Sequence, residues 1–92
     1  MPSVEENIPI GNFMLPQGAV VRSAADLGEL VRRRRHTLAL KQVDVAGLGG
    51  TGNRFVIELE RGKPTVQLQK VLDVLNLLGL EVVVRPKAGG QP

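Results

Sequence analysis

The chain has 92 residues, enough for one domain with a single small core, and the lack of Trp and Tyr leaves Leu, Val and Ile to build it. The absence of cysteine excludes a disulfide framework and a thiolate metal site, and fits a reducing cytosol. Twelve Lys and Arg against nine Asp and Glu give a net charge of +3, a modest bias toward polyanions that does not by itself define a nucleic-acid binder.

Residues 1–17 hold Pro2, Pro9, Pro16 and Gly11 and show no sustained hydrophobic period, so they read as a mobile arm. Glu5 and Glu6 stand near the start and no long apolar run follows, which matches neither a signal peptide nor a membrane span. A soluble, cytoplasmic protein is expected. Ala19, Val20 and Val21 are β-favouring and form either a brief edge strand or plain linker.

Ser23 is a good N-cap, and Asp26 places a carboxylate in the first turn, where the helix dipole favours it. Helix 1 is expected over residues 24–37, with Leu27, Leu30, Val31 and Leu38 on one face. Arg32 to Arg35 are consecutive, and on a helix they point in four directions. A solvated face is the commoner explanation of such a run.

The segment from Gln42 to Gly62 is the centre of the chain. Val45 and Ala46 come first, glycines break the pattern at Gly49 and Gly50, and Val56 and Leu59 are then spaced for one face of a second short helix. That is the layout of a helix-turn-helix, whose second helix is presented to the DNA major groove. Helix 2 is expected over 41–48 and the recognition helix over 53–61. Gly47 and Gly49 each weaken helix 2 by roughly 1 kcal/mol relative to Ala, and close packing of the two helices is what they would permit.

Lys63 and Pro64 interrupt, and Thr65 offers a fresh N-cap for helix 4, which carries Leu68, Val71, Leu72, Leu75 and Leu78 on one face and Gly79 as its terminator. Val74 and Leu77 lie off that stripe, so a second buried contact, a dimer interface, is expected there. Residues 80–85 form a β-branched run containing Val82, Val83 and Val84 and closed by Pro86. A lone strand cannot satisfy its own ladder, so its partner is either the segment 19–22 or the same strand of a second subunit. The tail 87–92 reads as disordered.

Gln42, Ala46, Gly50, the run from Glu58 to Lys63 and the Leu-Gly-Leu at 78–80 resemble the phage-repressor (Cro/cI, Xre-type) helix-turn-helix family. Within it, DLGELVRRRR before the motif, RFVIELERGKPTV inside it and the LGLEVVV ending are similar to HipB-type antitoxins. The resemblance implies an all-α, lambda-repressor-like domain of four to five helices with a short C-terminal β-strand paired across a dimer. The expected organisation is an arm over 1–21, a DNA-binding domain over 22–80, and a dimerisation strand and tail over 81–92. It further implies a homodimeric repressor of a toxin–antitoxin operon, partnered by double-stranded operator DNA and by a HipA-like serine/threonine kinase toxin. A stand-alone regulator without a kinase is the alternative.

The expected DNA contacts follow. Gln42 opens helix 2, where its amide suits a backbone phosphate, and the resemblance adds a brace to the start of the recognition helix. Asn53, Arg54 and Glu58 occupy positions where family members read base edges. Asn suits adenine, Arg guanine, and Glu can accept from cytosine N4, although for Glu58 a helical ion pair to Arg54 or Arg61 competes. Arg61 and Lys63 are placed for phosphates. Lys41 and Gly52 stand where the family has Ser or Thr caps; Lys41 can trade capping for a phosphate contact. Arg35 and Glu60 match an internal salt bridge of the family. Val74, Leu77, Val82, Val83 and Val84 are the expected dimer contacts. No nucleophile–base pair, cofactor loop or metal spacing stands out, so no catalysis, cofactor or metal is expected.

Overall fold

The computed structural model describes residues 18–87, so the expectations for the arm before residue 18 and for 88–92 lie outside the described residues. Four helices follow in order: α1 Ala24–Thr37, α2 Gln42–Gly49, α3 Asn53–Glu60 and α4 Leu68–Leu77. α3 packs on both α1 and α2, and α2 packs on α4.

The first helix begins where its cap chemistry puts it. Ser23 Oγ accepts from the Asp26 N–H at 3.0 Å, and the Asp26 carboxylate accepts from the Arg22 N–H at 2.9 Å. Every helix then stops in the same way. The residue in the left-handed region is Ala39, Gly50, Gly62 and Gly79 in turn. Behind it the amides of Leu40, Thr51, Lys63 and Leu80 reach back to the carbonyls of Arg35, Ala46, Glu58 and Leu75, at 2.9 to 3.1 Å. This is the Schellman arrangement, which satisfies carbonyls that a helix end leaves orphaned.

The core is Val31, Val45, Ala46, Val56, Leu59, Val71, Val74, Leu75 and Leu78, with Leu27, Leu40, Phe55, Val66 and Leu80 packed against it. Two features of α4 correct the sequence reading. Its buried face is Val71, Val74, Leu75 and Leu78, an i, i+3, i+4, i+7 stripe that keeps the expected Val71, Leu75 and Leu78 but takes in Val74 in place of Leu68 and Leu72. Val74 is 0% exposed and serves the chain's own core, so it is not available as the expected dimer contact, whereas Leu68 is 70% exposed. The helix also starts at Leu68, with Gln67 and not Thr65 in the cap position. Thr65 lies in the turn after Pro64, and half-buried Val66 packs onto the core just before the helix begins.

Among the described residues no strand is present, and residues 80–87 carry no ladder hydrogen bonds. The expected C-terminal strand is therefore not seen among the described residues. The physical reason is the one that made it conspicuous: an isolated strand has no partner for its amides and carbonyls. The segments 18–22 and 80–87 instead border one apolar groove of about 1000 Å³, floored by Leu27 and Leu30 of α1 and by Leu68 and Leu72 of α4. Leu38, expected on the core face, is 40% exposed beyond the last turn of α1. No helix among the described residues is long and apolar enough to cross a membrane.

Candidate nucleic-acid interface

The interface rests on a buried junction. Arg35 on α1 presents Nε to Glu60 Oε2 at 2.6 Å and its second terminal nitrogen to Glu60 Oε1 at 3.0 Å, a forked, two-bond pairing. The remaining terminal nitrogen donates to the Leu40 carbonyl at 2.9 Å. Both side chains are almost wholly buried, 9% and 3% exposed, so the pairing expected from the family resemblance is present.

Gln42 joins the same junction. Its Nε2 donates to Glu60 Oε1 at 3.0 Å, so the brace runs to the last residue of α3 and not to its start. One of the two Nε2 hydrogens is engaged with the carboxylate, which leaves the other for the phosphate contact expected of Gln42. The result ties α1, the α1–α2 turn, α2 and α3 together through one carboxylate.

Two glycines set the spacing of α1 and α3. A Cβ at Gly28 would lie 2.4 Å from the Leu59 carbonyl oxygen and 2.7 Å from that of Glu60. A Cβ at Gly62 would come within 2.7 Å of Ala25 Cα. The end of α3 thus rests on the α1 backbone without intervening side chains. Sequence reading missed both roles. It credited close packing to Gly47 and Gly49, yet a Cβ at Gly47 meets nothing within 4 Å and one at Gly49 only the side chains of Leu77 and Thr51, at 3.7 and 4.0 Å.

Above this junction α3 presents a polar surface. Asn53 and Arg54 are exposed at its first turn, and the Arg54 side chain is 89% exposed. Glu58, one turn on, uses a single oxygen, Oε2, to face Arg54 Nε and Lys63 Nζ, both at 3.3 Å. Lys63 reaches it because the left-handed Gly62 reverses the chain and the Lys63 amide bonds the Glu58 carbonyl at 3.0 Å. The Lys63 ammonium, with Arg54 adding to it, holds the Glu58 carboxyl below the usual carboxylate range, against a smaller opposing effect of desolvation. An ion pair was the plainer of the two readings of Glu58, and its second partner is Lys63, not Arg61. Exposed Arg61 makes no salt bridge among the described residues, and neither does Lys41.

The caps differ from expectation in one respect. The Lys41 side chain makes no cap bond, but Asp44 Oδ2 accepts from the Lys41 N–H at 2.8 Å. Asp44 thereby supplies half of a capping box and an acid at the positive end of α2. An acidic residue three positions after the N-cap is a readable signal. Gly52 caps α3 with no side chain, as expected.

The arginine run divides its labour. Arg32 and Arg33 face Glu29 at 3.8 and 2.6 Å, and Arg34 Nε donates to the Leu78 carbonyl at 2.8 Å, closing the end of α4. Arg35 is buried, so only part of the run faces solvent. Phe55 packs against the core with Lys70 Nζ 5.8 Å from its ring centroid. Among the described residues no group of His, Asp or Glu could hold a metal ion.

Two short helices joined by a left-handed glycine, the second braced from behind and bearing exposed Asn and Arg at its N-terminal turn, define a helix-turn-helix domain. The chain is 47% identical over 62 residues to the uncharacterized HTH-type transcriptional regulator y4mF of Sinorhizobium fredii (strain NBRC 101917 / NGR234), across 67% of this chain and 82% of that protein. It belongs to the helix-turn-helix transcriptional regulators. No family model matches the chain.

Proposed function

We propose that this protein is a cytoplasmic, homodimeric, sequence-specific transcriptional repressor with no catalytic activity. It reads its operator with Asn53 and Arg54 at the start of α3. The observation that carries this reading is Arg54, whose side chain is 89% exposed at the first turn of a helix that is locked from below. A guanidinium there suits guanine O6 and N7, while Arg61 and Lys63, after the helix, suit phosphates. Lys41, exposed at the start of α2, adds another phosphate contact. Dimerisation uses Leu77 of α4 and the exposed Val82, Val83 and Val84, whose unpaired backbone a second copy would complete as an intersubunit sheet.

The finer proposal is an antitoxin that represses its own operon and restrains a HipA-like serine/threonine kinase. It is supported by the resemblance to HipB-type antitoxins through the α1, α3 and LGLEVVV segments. A stand-alone regulator is the second reading, favoured by the relative's name, which carries regulation alone.

The test is fluorescence anisotropy with a duplex recovered by in vitro selection and with a scrambled duplex, each over a salt series, alongside sedimentation for the dimer. A thousandfold preference, lost in Arg54→Ala with the dimer intact, supports the repressor. Equal, weak binding to both duplexes overturns it. Co-purification with the product of a neighbouring kinase gene separates the antitoxin from the stand-alone regulator.

A further inference from the structure

The DNA-reading surface contains a carboxylate where phosphates are to bind. Glu58 Oε2 stands 3.3 Å from both the Arg54 and Lys63 nitrogens, so one oxygen is shared by the residue proposed to read a base and a residue proposed to hold the backbone. The sharing is built in by the backbone. Arg54 and Glu58 are four apart on α3, and the Gly62 turn returns Lys63 to the same side of the helix. The Glu58 side chain is 28% exposed, less than either partner, so it sits beneath them.

We propose that Glu58 is a specificity filter: an internal surrogate for a DNA phosphate that a non-matching duplex must displace from Arg54 and Lys63 before the helix can seat. This rests on the DNA-binding reading above and deepens it. The cost is not the same for every sequence, because Glu58 holds Arg54 through Nε alone and leaves the terminal guanidinium nitrogens for a base edge. Only a duplex that offers Arg54 a matching base edge is bound with the Arg54–Glu58 pair intact. Non-specific DNA offers phosphates alone, so Glu58 weakens it more and widens the ratio between right and wrong sites. Glu58 therefore acts by opposing wrong sequences and not by accepting from cytosine.

The experiment compares the full-length protein with Glu58→Gln on the selected and scrambled duplexes, over a salt series. Glu58→Gln keeps the size of the side chain and removes the charge, and circular dichroism with urea unfolding checks that both chains fold. The expected result is binding to the scrambled duplex tightened about tenfold, binding to the selected duplex changed less than threefold, and a steeper salt dependence on the scrambled duplex. Unchanged binding to scrambled DNA overturns the filter. So does a loss of tenfold or more on the selected duplex alone, which would make Glu58 a base reader. Lys63→Gln, tested with Glu58→Gln, must abolish most of the gain on scrambled DNA; if the gain persists in full, Lys63 is not what Glu58 restrains. Failure of the repressor reading looks different: the wild-type protein then prefers neither duplex, while the filter still requires Glu58→Gln to bind both more tightly.

Discussion

Arg35 and Glu60, 25 positions apart in the chain, meet through two hydrogen bonds of 2.6 and 3.0 Å with almost no solvent access. Gln42 donates to the same carboxylate at 3.0 Å. Removing one charge leaves the other buried and unpaired, the costly case, whereas removing both leaves a packing defect and the lost bonds to Leu40 and Gln42 but no buried charge. Arg35→Met or Glu60→Met is therefore expected to lose about 3–5 kcal/mol, and the double variant Arg35→Met/Glu60→Met clearly less than the sum. Urea unfolding of the four proteins in a double-mutant cycle measures this, and additive losses would show that the pairing contributes nothing specific.

The glycines separate into those that carry contacts and those that do not. Gly28→Ala drives a methyl into two carbonyl oxygens and is expected to destabilise by more than 2 kcal/mol or to prevent folding, since α1 and α3 must part. Gly47→Ala faces open space on a helix and is expected to stabilise by about 1 kcal/mol. Thermal midpoints of the two variants should move in opposite directions.

Ala39 is the one described non-glycine residue with a positive φ, +59°, in the position that Gly50, Gly62 and Gly79 fill elsewhere. An alanine there is strained by its Cβ. Ala39→Gly is expected to gain about 0.5–1 kcal/mol after the added freedom of the unfolded chain is counted, readable as a raised urea midpoint with unchanged slope.

Phosphate contacts and base contacts should part in binding data. Arg61→Ala is expected to weaken the selected and scrambled duplexes by similar factors and to lower the salt slope by about 1, whereas Arg54→Ala should act mainly on the selected duplex. An Arg61→Ala effect confined to the selected duplex would assign that residue to base reading.

Acid should loosen the surface cluster before it unfolds the domain. The folded Glu58 carboxyl titrates below its unfolded value of about 4.3, so its pairing is complete above that pH and is lost as pH falls through the lowered folded value. The stability difference between wild type and Glu58→Gln is expected to be constant from about pH 6 to 8 and to shrink below about pH 4. A difference that grows on acidification would contradict the direction of the shift.

Local chemistry was legible in the chain, and contacts between distant elements were less so. α1 could be bounded to the residue because Ser23 and Asp26 announce its start through bonds within one turn. The turn glycines Gly50 and Gly79 were readable for the same reason. The Arg35–Glu60 pairing became readable through the family resemblance, since composition and spacing alone do not join residues so far apart. The phase of α4 was misread because LQKVLDVLNLL is apolar enough to hold two overlapping stripes, and only packing against α2 selects the one with Val74. Gly28 gave no signal, because the reason for it lies in the end of another helix. The partner of Gln42 was hidden likewise.

The four identical helix endings bear on how the chain reaches its fold. Each stop is written within six consecutive residues and needs no distant partner, so chain reversals form as soon as their own helix does. A topology of short helices joined by such locally specified corners has little loop closure to complete, and domains of that kind fold within microseconds to milliseconds. A regulator assembled this quickly spends little time with its valine-rich C-terminal segment and leucine groove exposed on an incomplete chain, where edge-to-edge association would compete with folding.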